Sequence, residues 1–249
     1  AENHDDLGLD PRLAFTAPAS GLYLVRVFAF PSAPDTTIAF RGGDNYLYRL
    51  TLTTGPLVTH AIPLAVLQSS PGEVEVRGWN IPTGTRLAVS PFGGPTLAEF
   101  QEFEVPGDLR KSPHARLGLA WNPQLAGAAR IRLNPFPGTM VIPARPADMP
   151  TELPLGSSVT GCLSQPRQSD VYRLPLKKGN HVLVSLESFG LDLPLDPVLQ
   201  LIDPEGKVLV EVDDLGEQRD AALSHVAAVD GDYRLKVSDR YLQGGDRYL

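Results

Sequence analysis

The sequence has little of what disulfide-bonded, membrane-spanning or nucleic-acid-binding proteins require. Its single cysteine, Cys162, excludes a disulfide within the chain and any cysteine-rich zinc site. No apolar run approaches the roughly eighteen residues that a membrane-spanning helix needs. Acidic residues outnumber basic ones by 29 to 22, and the net charge of −7 argues against binding to nucleic acid or to an anionic membrane surface. We therefore expect no transmembrane segment and no nucleic-acid partner.

The motifs of the common catalytic sites are also absent from the sequence. The five histidines form no metal-ligand pair at helical or loop spacing, and there is no Gly-x-Ser-x-Gly elbow, phosphate-binding glycine loop or His-Glu-x-x-His. A Ser/His/Asp triad stays open as an alternative, because its members need not be close in the chain. With no supporting motif, we predict that this chain is not an enzyme.

Proline and glycine, in contrast, are abundant, with 24 and 23 copies spread along the chain. Long helices are incompatible with that density, whereas short strands joined by turns are favoured. The 249 residues are enough for one large domain or for two to three small ones. Composition therefore predicts an all-β protein made of small modules.

One pattern occurs twice, near the two ends of the chain. In residues 231–237 apolar and polar side chains alternate, as in a strand with one buried face. Residues 21–27 repeat the pattern, with Tyr23, Val25 and Val27 at the buried positions. Three blocks recur in the same order, at offsets of 208, 210 and 202 residues: 5–8 with 213–216, 21–27 with 231–237, and 42–47 with 244–249. A repeat of this kind indicates two copies of one structural unit.

The repeat and the prolines together divide the chain into three units. Four prolines between residues 143 and 154 predict a stiff, extended linker. Residues 148–249, the third unit, are predicted to form a jelly roll of eight strands, of which the last, at residues 241–249, is expected to be cut short. Residues 55–147, the middle unit, contain no copy of the repeat and predict an immunoglobulin-like β-sandwich. Residues 1–54, the first unit, are predicted to be the C-terminal half of another β-sandwich, with strands at residues 22–30, 38–40 and 46–53.

Several blocks of the third unit occur in an order that is typical of a known family. They are residues 155–161, 170–174, 177–179, 195–201, 203–206, 213–214 and 231–237. In this order they resemble the bacterial pre-peptidase C-terminal domain, and residues 5–50 resemble the second half of another copy. The middle unit is similar to the immunoglobulin-like TIG modules that accompany such domains. The resemblance implies jelly-roll accessory domains of secreted bacterial proteins, which often flank peptidases and are not themselves catalytic.

These features predict a binding or spacer role outside the cytoplasm. We expect an extracellular, periplasmic or cell-surface protein that belongs to a larger assembly and binds other protein chains or an extracellular polymer. Two alternatives stay open. One is an accessory region of a secreted peptidase whose catalytic domain lies outside this chain. The other is a carbohydrate-binding module that uses Trp79 and Trp121 as stacking platforms, although a buried tryptophan is the more ordinary core residue.

Acidic residues of the repeat are the candidate metal ligands. Some relatives of the resembled family bind calcium, which takes six to eight oxygen ligands. The candidates are Asp213, Asp214 and Asp220, with their counterparts Asp5, Asp6 and Asp10. The run lacks the spacing of a dedicated calcium loop, and a turn whose Asp side chains cap backbone N–H groups is the alternative. Calcium is the one cofactor that the sequence raises.

The repeat also predicts that the first unit is incomplete. By the repeat offset it lacks the equivalent of residues 151–208, and we expect the chain to be an excerpt in which the first half of this unit is missing. Apolar faces, including Tyr46, Tyr48 and Leu50, should then be exposed. Their partner strands would come from upstream residues of the same polypeptide or from another chain. A closed, self-sufficient sandwich at residues 1–54 would contradict this prediction.

Overall fold

The computed structural model describes residues 1–3, 6, 10–30, 40–91, 116–135, 139–141, 149–214 and 219–249. Within these ranges the fold is all-β, as expected, with fifteen strands and no α-helix. All of the strands belong to the middle and third units. The assignment of each unit to an immunoglobulin-like or a jelly-roll class stays a prediction.

The middle unit contains one curved six-stranded sheet. Its strands are β1 (Leu57–Ile62), β2 (Ala65–Leu67), β3 (Glu73–Trp79), β4 (Arg86–Pro91), β5 (Arg116–Ala120) and β6 (Ala129–Asn134). Their order across the sheet is β1-β3-β4-β5-β6-β2. A bridge between Leu57 and Ala126 brings β1 close to the start of β6, so the sheet curves around its core. Alternate residues such as Val74, Val76 and Ile131 are buried there, as the period-two patterns of their strands predict.

The third unit has two layers. The larger sheet, in the order β13-β12-β15-β10-β8, faces the pair β11–β14. These strands are β8 (Thr151–Glu152), β10 (Ser169–Leu176), β11 (His181–Ser185), β12 (Pro197–Ile202), β13 (Val208–Val212), β14 (Ala222–Val226) and β15 (Gly231–Asp239). Leu201 and Leu235 from the large sheet pack with Val182 and Leu223 from the pair, which closes a shared core.

The predicted last strand of the third unit, at residues 241–249, is wrong. Leu242 has a φ of 58°, and a turn joins the N–H of Tyr248 to the carbonyl of Gly245 at 3.0 Å. The segment bonds instead to an irregular stretch around Leu163, whose N–H donates to the Tyr248 carbonyl at 2.8 Å. Paired glycines before the tyrosine favour this turn over a regular ladder.

Predicted strands at residues 22–30 and 46–53 of the first unit are also wrong. The described part of that unit contains no strand, and its pairing is confined to isolated bridges such as Ala29 with Arg41. A strand forms only where a neighbour takes its backbone N–H and C=O groups. No neighbouring strand lies beside the described residues of this unit. The predicted strand at residues 38–40 falls mostly outside the described residues.

The middle and third units contact each other directly. Strands β7 (Thr139–Val141) and β9 (Ser158–Thr160) form a parallel pair across the boundary. The N–H of Leu64 donates to Thr160 Oγ1 at 3.0 Å, and an apolar cluster joins Leu64 to Leu193 and Leu249. Residues 143–148 of the predicted proline linker lie outside the described residues, and Thr151–Glu152 of it form β8.

Candidate functional site

Apolar side chains of the first unit are unusually exposed. Leu22, Leu24 and Leu47 have 92, 90 and 89 % of their surface accessible. Other exposed apolar side chains of this unit include Phe15, Val25, Phe40, Tyr48, Leu50 and Leu52. Extended apolar surface of this kind marks interaction sites in proteins. We therefore treat residues 10–30 and 40–54, called the exposed segment, as the candidate functional site.

The exposed segment has the same local structure as the end of the third unit. The Tyr23 hydroxyl donates to the carbonyl of Ala19 at 2.6 Å and accepts from its N–H at 3.3 Å. Tyr233 makes the same two contacts with Val229, at 3.2 and 3.4 Å. A tyrosine that bonds the backbone a few residues upstream is a recognised corner of β-sandwiches. The contact therefore recurs at the offset of the sequence repeat.

Two further contacts recur between the copies. The Phe15 ring meets Tyr23 edge-on at 5.4 Å, and the His225 ring lies 6.0 Å from Tyr233. In the third block, Tyr46 N–H donates to the Gly43 carbonyl at 3.0 Å, matching the turn at the end of the third unit. The sequence repeat is therefore also a structural repeat, formed from contacts within each copy.

Burial is what distinguishes the two copies. Tyr233 and Leu235 are 1 and 3 % exposed, whereas Tyr23 and Val25 at the same repeat positions are 45 and 60 % exposed. β15 is covered because β10 and β12 pair with its two edges. No described strand does the same for residues 21–29. This agrees with the prediction that the first unit exposes apolar faces, and the described residues do not form a closed sandwich.

The aspartates predicted as calcium ligands in the third unit do not form one site. Asp220 is buried, and its two carboxylate oxygens accept from the backbone N–H groups of Ser188, Phe189 and Gly190, each at 2.8 Å. Burial raises the pKa of Asp220, and these three donors oppose that shift. Asp213 instead forms an exposed ion pair with Arg240. Asp220 therefore organises the loop that follows β11. It caps backbone N–H groups, as the alternative to calcium holds, but it is buried and its donors lie in a distant loop and not in its own turn.

Their counterparts in the first unit are also separated. Asp6 Oδ2 lies 3.1 Å from Arg12 Nε, and Oδ1 accepts from Arg247 at 2.5 Å. Asp10 is exposed, Asp214 in the third unit is exposed as well, and Asp5 lies outside the described residues. Within the described ranges, no group of three or more His, Cys, Asp or Glu side chains is placed to hold a metal ion. The calcium prediction gains no support from this arrangement.

Sequence reasoning missed the ion pairs that join the units. Asp6 of the first unit meets Arg247 of the third, and Arg132 of β6 donates from Nε to Glu187 at 2.7 Å. Arg130 Nε lies 3.0 Å from Asp192. Arg132 and Glu187 are 55 residues apart in the sequence, and Asp6 and Arg247 are 241 residues apart. No periodicity or motif in the sequence signals contacts at such separations.

The two tryptophans have different environments and do not form a pair. Trp121, which follows β5, is 59 % exposed, so the core interpretation is wrong for this residue. Trp79 is half-buried at the end of β3, opposite Leu57. Along the β3–β4–β5 registers the two positions differ by about six residues, or roughly 20 Å at the usual rise of a strand. They cannot stack on neighbouring rings of a short sugar chain.

One serine–histidine contact bears on the alternative of a catalytic triad. His181 Nε2 lies 2.8 Å from Ser224 Oγ on the exposed face of the β11–β14 pair. A triad also needs a carboxylate at the other ring nitrogen. Among the described residues no carboxylate bonds this histidine, so the contact has two of the three required members.

His60 is the buried histidine of the unit interface. Its Nδ1 lies 3.0 Å from Thr59 Oγ1, and its Nε2 has no hydrogen-bond partner among the described residues. Burial, with Arg247 and Arg77 nearby, lowers the pKa of His60 from 6.5 to about 4. Between these values the unfolded chain binds a proton that the folded chain does not, so this histidine makes stability fall as pH falls.

We expect His60 to contribute about 1 kcal/mol to the loss of unfolding free energy between pH 7 and about pH 5.5. Denaturant unfolding at the two pH values would measure this loss in the wild type and in His60→Leu. The difference should shrink by that amount in the variant. An unchanged pH dependence in His60→Leu would contradict the prediction.

No family model and no curated protein matches the chain. The likeness of the third unit to pre-peptidase C-terminal domains therefore stays a resemblance. Among the described residues, no helix has both the length and the apolar character to cross a membrane.

Proposed function

We propose that the chain is a non-catalytic binding and assembly region of a larger secreted or cell-surface bacterial protein. The observation that carries the proposal is the contrast between the two copies of the repeat. The exposed segment has the local contacts of a folded sandwich, yet its inward positions, such as Tyr23 and Val25, face solvent. Other protein chains or a surface polymer are the partners that such a surface would bind.

The physical argument rests on the cost of leaving this surface in water. Each apolar side chain that moves from water into an interface contributes on the order of 1.5 to 3 kcal/mol of favourable free energy. Leu22, Leu24 and Leu47 are nearly fully accessible, so a partner could bury almost all of their surface. The neighbouring units are folded and can hold the segment in place, since Arg247 of the third unit contacts Asp6, and Asp6 in turn contacts Arg12 of the exposed segment.

The proposal is tested with a triple variant, Leu22→Ser, Leu24→Ser and Leu47→Ser. Sedimentation velocity would report self-association, and co-sedimentation with purified peptidoglycan would report binding to a polymer. We expect the wild type to associate in at least one assay and the variant to lose that association. The matched control, Leu155→Ser, Val208→Ser and Val226→Ser, removes exposed apolar side chains of the third unit. Absence of association in both assays, or equal loss in the control, would contradict the proposal.

The exposed indole of Trp121 favours carbohydrate binding as a second candidate function. An accessible ring presents a face on which a sugar can stack. Acrylamide should quench Trp121 more strongly than half-buried Trp79, as comparison of Trp79→Phe with Trp121→Phe would show. If this candidate is right, titration with soluble oligosaccharides should shift the emission of Trp79→Phe, which retains Trp121, and leave that of Trp121→Phe unchanged. An emission unchanged in both variants would contradict it.

A further inference from the structure

β15 of the third unit shows what covers this sequence pattern in a complete sandwich. It pairs antiparallel with β10 from Gly231 to Ser238 and antiparallel with β12 from Arg234 to Asp239. Over residues 234–238 it therefore has a neighbour on each edge. Its inward residues enter the core beneath it. β15 is therefore a central strand, whose inward side chains pack in the core and whose main chain bonds to a neighbour on each edge.

Residues 21–29 correspond to β15 at a constant offset of 210 residues. Tyr23, Val25 and Val27 stand where Tyr233, Leu235 and Val237 stand in the third unit. The corner contact with Ala19 and the Phe15 contact already fix the entry to this stretch. Local contacts therefore prepare a strand that, over residues 21–27, has no described strand beside either edge and has an exposed inward face.

From this match we infer that residues 21–27 bind a partner polypeptide by becoming the central strand between two of its antiparallel strands. The inference rests on the proposed function and specifies the partner as a protein. Main-chain N–H and C=O groups on both edges need donors and acceptors at strand spacing, which another polypeptide provides and a polysaccharide does not. The partner strands would alternate apolar residues toward Tyr23, Val25 and Val27, as β10 and β12 do toward β15.

The outward face of residues 21–27 also restricts which partner strands can bind. Arg234 of β15 is exposed, and it pairs with Arg173 of β10 and Ile202 of β12. The same position in the first copy is Leu24, which is 90 % exposed. A partner that matches residues 21–27 would therefore place apolar side chains opposite Leu24 on the outer face too. This difference would favour the external partner over the strands of the third unit.

The experiment adds a fragment in trans to the full chain. The fragment is residues 149–214, which carry β10 and β12, with Arg173→Leu so that both positions opposite Leu24 are apolar. Hydrogen exchange would be followed at the backbone amides of residues 22–28. We expect these amides to exchange about 100-fold more slowly with the fragment present, and those of β15 to be unchanged. Binding without amide protection, or no protection at millimolar fragment, would overturn the inference. Either result would count against the strand pairing alone, because the sedimentation assays test the proposed function separately.

Two variants at one position separate main-chain pairing from side-chain contact. Val25→Pro removes the backbone N–H and should abolish protection across residues 22–28. Val25→Ala keeps the N–H and should retain protection with at most a several-fold weaker affinity. Full protection in Val25→Pro would overturn the inference, because a central strand cannot form without that donor.

Discussion

Replacing Asp220 with alanine is expected to lower the free energy of unfolding of the third unit by about 3 kcal/mol or more. The carboxylate is buried and accepts from three successive backbone N–H groups, at residues 188–190, at 2.8 Å each. Alanine would leave these donors without an acceptor in a site that water reaches poorly, since Ser188 is fully buried. The loop that holds Leu191 and Leu193 in the interface cluster would lose its anchor.

Chemical denaturation followed by far-ultraviolet circular dichroism would measure this loss. Asp203→Ala is the matched control, because Asp203 Oδ1 also accepts a backbone N–H, from Lys207 at 2.8 Å, but in an exposed turn. Its effect should be less than half as large. Asp220→Asn should fall between the two, since the amide retains one oxygen acceptor. If Asp220→Ala and Asp203→Ala cost the same, the buried network is not what stabilises the loop.

Leu235→Ala is expected to cost about 2 to 5 kcal/mol, as large-to-small changes in cores do. Leu235 is fully buried and pairs with Tyr172 of β10 and Leu201 of β12. The same substitution at its repeat counterpart, Val25→Ala, should change the free energy of unfolding by less than about 0.5 kcal/mol, because Val25 is exposed. One repeat position thus supplies both the test and its control.

The pair would be compared by urea unfolding of the full chain without any partner. Similar losses for both substitutions would show that Val25 is packed in solution, which would contradict the exposed segment as a binding surface. Addition of a partner should make the two positions more alike, because Val25→Ala would then also remove buried surface.

The sequence predicted strands β10 and β15 of the third unit because their information is local. In β10 and β15 the alternation of apolar and polar residues alone sets which face is buried. The same alternation at residues 21–27 led to a strand prediction that is wrong. Periodicity reports which face a strand would bury, whereas a ladder also needs a neighbour far away in the chain.

The candidate site was predictable only in part, for the same reason. The repeat and the exposed apolar positions could be read from the sequence, because Tyr46, Tyr48 and Leu50 alternate as in a strand face. The role of Asp220 could not, since its three donors lie about thirty residues earlier. Nor could the exposure of Trp121, because a tryptophan is as compatible with a core as with a surface.

The parallel pair β7–β9 has a mechanical consequence. It joins the segment before the proline-rich stretch to the segment after it, through three residue pairs in register from Thr139 to Val141. Turning the middle unit against the third would require breaking this ladder, the bond between Leu64 and Thr160, and the ion pair of Arg132 with Glu187. We therefore expect the middle and third units to keep a fixed relative orientation, so that a force applied to one unit is transmitted to the other.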